Sequence, residues 1–171
     1  MTRNARIIAT GMHAPERVVP NSFFHELMGE SVDTWLREYL TIRERRWCVP
    51  DESTADLVVA CAGPLLERAG TTAAALDLII VATDTPEFIS PSTASVVQHR
   101  LGATGAGTFD VNTACAGFVT ALDMGAKYIQ ADPRYGQVLV VGAYAMSKHL
   151  DLSDKRTANL FADGAAGVLP V

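Results

Sequence analysis

Short apolar runs alternate with longer segments of helical periodicity along this chain. The runs at 78–82 and 137–142 are dominated by apolar residues, as expected for strands buried on both faces of a sheet. Further strands are predicted at 6–10, 108–111 and 164–169, and Gly11 is expected to end the first of them. The pattern therefore predicts five strands separated by helical segments.

Helices are predicted in the intervening segments, at 21–27, 32–40, 53–69, 92–101 and 115–132. Asn21 and Ser22 can cap the first helix, and Pro91-Ser92 opens the fourth. Ser53, with Asp56 three residues later, resembles a capping box at the start of the third. Pro64 lies inside that third helix and predicts a kink there.

Strands that alternate with helices predict a layered α/β domain with a largely parallel central sheet. The 171 residues suit one domain, residues 1–171. The glycine-rich segment 102–107 resembles a phosphate-binding loop. However, it follows a helix and precedes a strand, so a tight turn is expected instead.

Composition narrows the classes of function. Hydrophobic residues make up 49% of the chain, yet no apolar run approaches the length of about 18 residues that a membrane span needs. The net charge of −5 argues against nucleic-acid binding. Three widely spaced cysteines without a C-x-x-C pair favour a reducing, cytoplasmic setting and no structural metal. No membrane or nucleic-acid partner is therefore expected.

Cys115 lies between the strand 108–111 and a helical segment, with the small neighbours Ala114, Ala116 and Gly117. A thiol at a helix N-terminus meets free backbone N–H groups and the positive end of the helix dipole, which favour the nucleophilic thiolate. A second interpretation is a small buried core residue, because free cysteine is often buried. Spacing alone leaves both open.

The segment from Asp110 to Phe118, D-V-N-T-A-C-A-G-F, resembles the nucleophile region of the β-ketoacyl-(acyl carrier protein) synthase III family, which belongs to the thiolase-like condensing enzymes. Further similar segments follow in the family's order: I-R-E-R-R at 42–46, S-T-A-D-L at 53–57, L-E-R-A-G at 66–70, D-L-I-I-V-A-T at 77–83 and F-A-D-G-A at 161–165. The resemblance implies a thiolase-like half, layered α/β/α, around a five-stranded mixed sheet. Family members have two similar halves, so this chain is expected to be the N-terminal one, with the C-terminal half absent.

The resemblance implies an acyltransferase of fatty-acid or polyketide type. Cys115 would take an acyl group from acyl-CoA, as a substrate and without a cofactor. It would then condense that group with malonyl-acyl carrier protein in a decarboxylative Claisen reaction. The family's catalytic His and Asn belong to the second half. None of the four histidines here is expected to be the base: His13, His25, His99 and His149.

Three further site residues are implied by the resemblance. Trp35 matches a tryptophan that stacks on the adenine of CoA, and Lys148 stands where an arginine is common on the other face. Ser90 replaces a bulky residue that lines the acyl pocket and the dimer seam. Tyr39 and Thr41 depart from the family's arginine and glycine, which hints at an altered acyl donor.

Two alternatives remain open at this point. One is a related enzyme that transfers the acyl group to a hydroxyl or an amine. The other is a non-catalytic half-domain that pairs with a partner. A homodimer across the strand 138–141 is expected, and the arginines at 43, 45 and 46 could meet an acidic carrier protein or form an internal cluster. Asp163-Gly164 is expected to be a structural turn near Cys115.

Overall fold

The computed structural model of the chain describes residues 3–29 and 31–171. Its seven strands are β1 (Ile7–His13), β2 (Val18–Pro20), β3 (Glu44–Arg46), β4 (Leu78–Ala82), β5 (Gly107–Val111), β6 (Val138–Ala145) and β7 (Asp163–Pro170). Its α-helices are α1 (Asn21–Met28), α2 (Asp33–Leu40), α3 (Thr54–Ala69), α4 (Thr93–Leu101) and α5 (Gly117–Ala131). No helix in this part of the chain combines the length and apolar character needed to cross a membrane.

Five strands form one mixed sheet in the order β1-β7-β6-β4-β5, and β2 pairs with β3 in a separate ribbon. The strands β4, β5 and β6 are parallel, whereas β7 is antiparallel to both of its neighbours, β6 and β1. Four of the five strands therefore run in one direction. The predicted five-stranded, mixed and largely parallel sheet is confirmed.

The strand proposed as a dimer seam lies inside this sheet. Residues 138–141 belong to β6, which is hydrogen-bonded to β4 on one side and to β7 on the other. No edge of β6 is left for another chain to pair with, so the expected dimer across this strand is wrong. The edges of the sheet are β5 and β1.

Helices cover both faces of the central strands. On one face, α3 and α4 pack against Ile79 and Val81 of β4 and Leu139 and Val141 of β6. On the other face, α5 packs against the alternate residues of the same two strands. Every residue of β4 is buried, which explains why this strand and β6 lack the polar alternation of a one-faced sheet. The layered α/β/α arrangement is confirmed.

Local details differ from the sequence expectations where packing between distant segments determines the structure. The strand β1 continues through Gly11 to His13. A Cβ atom at Gly11 would lie 2.7 Å from Leu65 Cβ and 2.8 Å from the Cys61 carbonyl oxygen. Glycine here permits the close approach of α3 and does not end the strand. The helix α3 runs without interruption through Pro64.

A second, smaller core surrounds the ribbon of β2 and β3, which the sequence pattern did not predict. Arg45 is buried there, and its guanidinium donates to Asn21 Oδ1 and to the Asn159 carbonyl oxygen, each at 2.9 Å. It also lies 4.5 Å from the centre of the Phe24 ring. Of the two interpretations of the arginine run, Arg45 fits the internal cluster. Asn21 serves this cluster instead of capping α1, whose N-cap is Pro20 without a side-chain bond.

Replacing Gly11 by alanine is expected to destabilise the fold by about 1–3 kcal/mol, because the new methyl group overpacks the contact between β1 and α3. Gly63→Ala is the matched control, since, apart from its chain neighbours and the nearby backbone of its own helix, no atom lies within 4 Å of a Cβ at Gly63. Gly63 is in a helix interior but precedes Pro64, whose ring disfavours a Cβ on the preceding helical residue, so the gain in stability should be smaller than the value of about 0.5–1 kcal/mol at an ordinary helix position. Urea unfolding of both variants measures the difference, and equal midpoints would contradict this packing argument.

Candidate functional site

Cys115 occupies a short turn between β5 and α5. After β5 ends at Val111, a single 3₁₀ turn spans Ala114–Ala116, and α5 begins at Gly117. Ala114 has a φ of 47°, a left-handed conformation that costs a residue with a side chain about 1–3 kcal/mol. The cysteine thus lies between β5 and α5, as the sequence analysis expects, and the helix begins two residues later than the start at 115 that the pattern gives. The cysteine is exposed.

The first turn of α5 presents its backbone N–H groups close to this cysteine. The helix has no side-chain cap and no acidic residue in its first turn. Unpaired N–H groups and the helix dipole stabilise negative charge at such a position. The predicted position of Cys115 before a helix N-terminus is confirmed, and its role as a nucleophile stays a prediction.

A cavity of about 310 Å³ opens beside Cys115. Its walls come from the carboxyl ends of the parallel strands and from the residues that follow them. The lining residues are Ala82, Thr83, Asp84, Ala114, Cys115, Gly117, Phe118, Gly142, Ala143, Tyr144, Phe161 and Gly164. Small and aromatic residues predominate among them. The cavity therefore suits a ligand with an apolar chain that ends in one reactive group.

Two ionisable side chains besides the cysteine line the cavity, and the sequence analysis singled out neither. Asp84 follows β4, and Tyr144 lies near the end of β6. Burial raises the pKa of the Tyr144 phenol above its ordinary value, and the charges of Asp84, Cys115 and Asp163 add to the effect. The phenol is therefore protonated at neutral pH. The position of Asp84 two residues after a buried strand was the available signal.

Carboxylates elsewhere hold the walls in place. Asp110 accepts hydrogen bonds from the backbone N–H groups of Thr93 (2.7 Å) and Ala94 (2.8 Å), which ties the start of α4 to β5. The buried Asp163 accepts from the backbone N–H groups of Cys48 (2.7 Å) and Ser147 (2.9 Å) and from the Ser147 hydroxyl. The predicted turn at Asp163-Gly164 is in fact the start of β7, where Gly164 borders the cavity.

The other predicted site residues lie apart from the cavity wall. Trp35 is on the surface of α2 with 46% of its area exposed. Lys148 ends a short 3₁₀ turn, and its ammonium group donates to the Pro50 carbonyl oxygen at 2.6 Å. Ser90 is exposed in the loop before α4. The cavity thus contains Cys115 but none of these three side chains.

None of the four histidines contributes to the cavity wall. Three are exposed, and His13 lies 3.7 Å from the Glu52 carboxylate. Among the described residues, no cluster of three or more histidine, cysteine, aspartate or glutamate side chains could hold a metal ion.

Comparisons of the sequence with known proteins agree with this fold. The family profile described as 3-oxoacyl-[acyl-carrier-protein (ACP)] synthase III matches residues 109–169. The chain is 46% identical over 169 residues to the β-ketoacyl-[acyl-carrier-protein] synthase III of Enterococcus faecalis, covering 99% of this chain and 52% of that protein. Against the protein of the same name from Xanthomonas campestris, identity is 42% over 165 residues, covering 96% and 50%.

Solved structures share the fold. The 3-oxoacyl-[acyl-carrier-protein] synthase III of Aquifex aeolicus superposes with a TM-score of 0.92 at 36% identity, covering 98% of this chain and 53% of that one. The priming β-ketosynthase of the R1128 polyketide pathway gives a TM-score of 0.93 at 34% identity, covering 99% and 50%. The chain spans about half the length of the curated relatives it matches.

The layered sheet, with a cysteine in the turn after β5, gives this chain the fold of a thiolase-like half. More narrowly, nearly the whole chain is similar to about half of a β-ketoacyl-[acyl-carrier-protein] synthase III.

Brief treatment of the native protein with iodoacetamide is expected to modify Cys115 alone. Cys48 and Cys61 are buried, and burial raises the pKa of the Cys61 thiol to about 11 and that of Cys48 still further. Intact-mass spectrometry should show a single carbamidomethyl group, and none in Cys115→Ser until the protein is unfolded. Rapid labelling of the native Cys115→Ser variant would contradict this assignment.

Proposed function

We propose that the protein is an acyltransferase of the β-ketoacyl synthase III type, with Cys115 as its nucleophile. The observation that carries the proposal is the exposed thiol beside an apolar cavity at the carboxyl ends of parallel strands. Ligand sites of open α/β sheets occur at this edge. The thiolate attacks the thioester carbonyl of an acyl-CoA, the C–S bond to CoA breaks, and the acyl group remains on Cys115.

The second half-reaction joins this acyl group to malonyl-acyl carrier protein. Loss of CO₂ from the malonyl group gives an enolate, which attacks the acyl-enzyme and releases the Cys115 thiolate with a β-ketoacyl product. The oxyanion of each tetrahedral intermediate needs backbone donors, and the Cys115 N–H in the turn before α5 is suited to be one of them. The relatives' names support this acceptor, since they specify the acyl carrier protein.

CoA recognition is assigned to Trp35 and Lys148. Trp35 offers an exposed indole face on α2 for stacking against adenine. Lys148 supplies a positive charge but lacks the planar guanidinium that stacks on a base. Thr41, with a φ of 58°, follows α2 in a left-handed conformation, so its backbone takes the shape that a glycine would adopt more readily.

The dimer seam is proposed at the β5 edge. In the loop before α4, Phe88 has 55% of its area exposed and Ile89 is fully exposed. This loop leads into the start of α4, which is hydrogen-bonded to Asp110 of β5. Ser90 belongs to the same loop, so a partner chain paired on β5 would come close to it. Exposed apolar residues beside a free strand edge favour association of two copies.

The proposed reaction uses the thiol and the substrates alone, so acyl-CoA acts as a substrate and no cofactor is required. A cytoplasmic location is proposed because all three cysteines are free, and an exposed nucleophilic thiol needs a reducing compartment.

Incubation of the native protein with a mixture of acyl-CoAs is expected to add one acyl group, detected by intact-mass spectrometry and located on the Cys115 peptide. The adduct should vanish in Cys115→Ala and persist in Cys61→Ala, the matched control with a buried thiol. Subsequent malonyl-acyl carrier protein should remove the acyl group and release CO₂. An adduct that survives in Cys115→Ala would refute the nucleophile assignment.

Trp35→Ala is expected to raise KM for acyl-CoA by about tenfold or more, because base–aromatic stacking is worth about 1–3 kcal/mol. Steady-state kinetics with the matching acyl-pantetheine, which lacks adenine, provide the control and should change little. Equal losses with both donors would place Trp35 in a structural role instead.

A further inference from the structure

Asp84 lines the Cys115 cavity, and the condensation reaction described above gives it no role. It is the one carboxylate among the described residues that line the cavity, and Tyr144 is the one phenol. Histidine is absent from that lining. A carboxylate that shares a largely apolar cavity with a nucleophile is a candidate for proton transfer, provided that it is held in place.

The two residues that flank Asp84 hold it in place. Thr83 and Thr85 are both buried. The backbone N–H of Thr83 donates to the Val111 carbonyl oxygen at 3.0 Å, which anchors the segment to the end of β5 just before the Cys115 turn. Thr85 Oγ1 accepts from the Ala145 backbone N–H at 3.0 Å, which anchors it to the end of β6 beside Tyr144.

Further bonds fix the same three residues. The Thr85 backbone N–H donates to Thr83 Oγ1 at 3.1 Å, and the Thr54 hydroxyl donates to the Thr85 carbonyl oxygen at 2.5 Å. The backbone on both sides of Asp84 is thereby bound to β5, β6 and α3. A group that transfers a proton in a defined direction requires surroundings that are fixed in this way.

Tyr144 completes the group. It lines the same cavity, next to the ring of Phe161, with 6.1 Å between the ring centroids. Asp84, Cys115 and Tyr144 line the same cavity, and the charges of the first two contribute to the raised pKa of the Tyr144 phenol. Because the phenol stays protonated at neutral pH, it is a hydrogen-bond donor in this cavity.

We propose that Asp84 is a general base that lets the acyl-enzyme on Cys115 transfer its acyl group to a hydroxyl acceptor, with Tyr144 orienting the acceptor oxygen. This further activity rests on the acyl-enzyme of the proposed function and adds an acceptor class to it. The acceptor is a small alcohol, because the cavity of about 310 Å³ also has to hold the acyl chain.

The step balances without another reactant. The acceptor's O–H proton passes to the Asp84 carboxylate while its oxygen attacks the thioester carbonyl carbon. The tetrahedral intermediate collapses with cleavage of the C–S bond, which releases an ester. The Cys115 thiolate then receives the proton from Asp84, and the free enzyme is restored.

The test separates acylation from transfer. The native protein is first acylated with acyl-CoA, and loss of the adduct is then followed by intact-mass spectrometry in 1-propanol or in hydroxylamine. Hydroxylamine attacks thioesters without a general base. Asp84→Asn is expected to acylate normally and to react normally with hydroxylamine. Its transfer to 1-propanol should slow by about 10²–10⁴-fold, the usual contribution of a general base.

Matched variants make the result specific. Asp84→Glu keeps a carboxylate and should recover part of the rate, and Tyr144→Phe should lose about tenfold, the value of one hydrogen bond. Asp123→Asn, an exposed aspartate of α5 that pairs with Lys127, should leave every rate unchanged. A wild-type acyl-enzyme inert to 1-propanol, or equal rates in wild type and Asp84→Asn, would overturn the inference while leaving the acyl-enzyme intact. Absence of any adduct in the wild type would overturn the proposed function and this inference with it.

Discussion

The candidate site depends on the packing of α5 against the two central strands, β4 and β6. A Cβ atom at Gly125 would lie 3.1 Å from Val140 Cγ2 and 3.3 Å from Val138 Cγ1, so the helix axis comes as close to β6 as a glycine allows. Ala121 and Ile129 of the same helix are fully buried. Once this face of α5 packs on the sheet, the start of the helix can lie only at the carboxyl ends of β4, β5 and β6. Cys115, which precedes the helix, then lies at the same edge.

The parallel direction of those three strands then gathers the chemistry. Cys115 follows β5, Asp84 follows β4 and Tyr144 lies near the end of β6, so groups about 30 residues apart in sequence meet at one edge of the sheet. Parallel strands bring the ends of successive βα units together, which is why this edge hosts ligands so often. The nucleophile alone is compatible with several acceptors, and the groups around it determine which acceptor can react.

Buried polar contacts close the remaining wall. Trp47 donates from its indole nitrogen to the Phe161 carbonyl oxygen at 3.0 Å, and Asp163 binds the backbone of Cys48 and Ser147. These bonds join the small core around β2 and β3 to the segment that supplies Phe161 and Gly164 to the cavity. The Trp47 indole N–H and the Asp163 carboxylate are both hydrogen-bonded where they are buried, which is the condition for such links to stabilise the fold.

Local pattern by itself determined the helices, the five strands of the main sheet and the position of Cys115 between a strand and a helix, because periodicity and small neighbours are properties of adjacent residues. Family resemblance, read from the same residues, indicated the fold class and the candidate nucleophile. Only the tertiary structure decided that residues 138–141 lie inside the sheet, that β1 passes through Gly11 and that Arg45 is internal. It alone brought Asp84 and Tyr144 to Cys115. Those outcomes depend on strand order and on packing between distant segments, which no local pattern encodes.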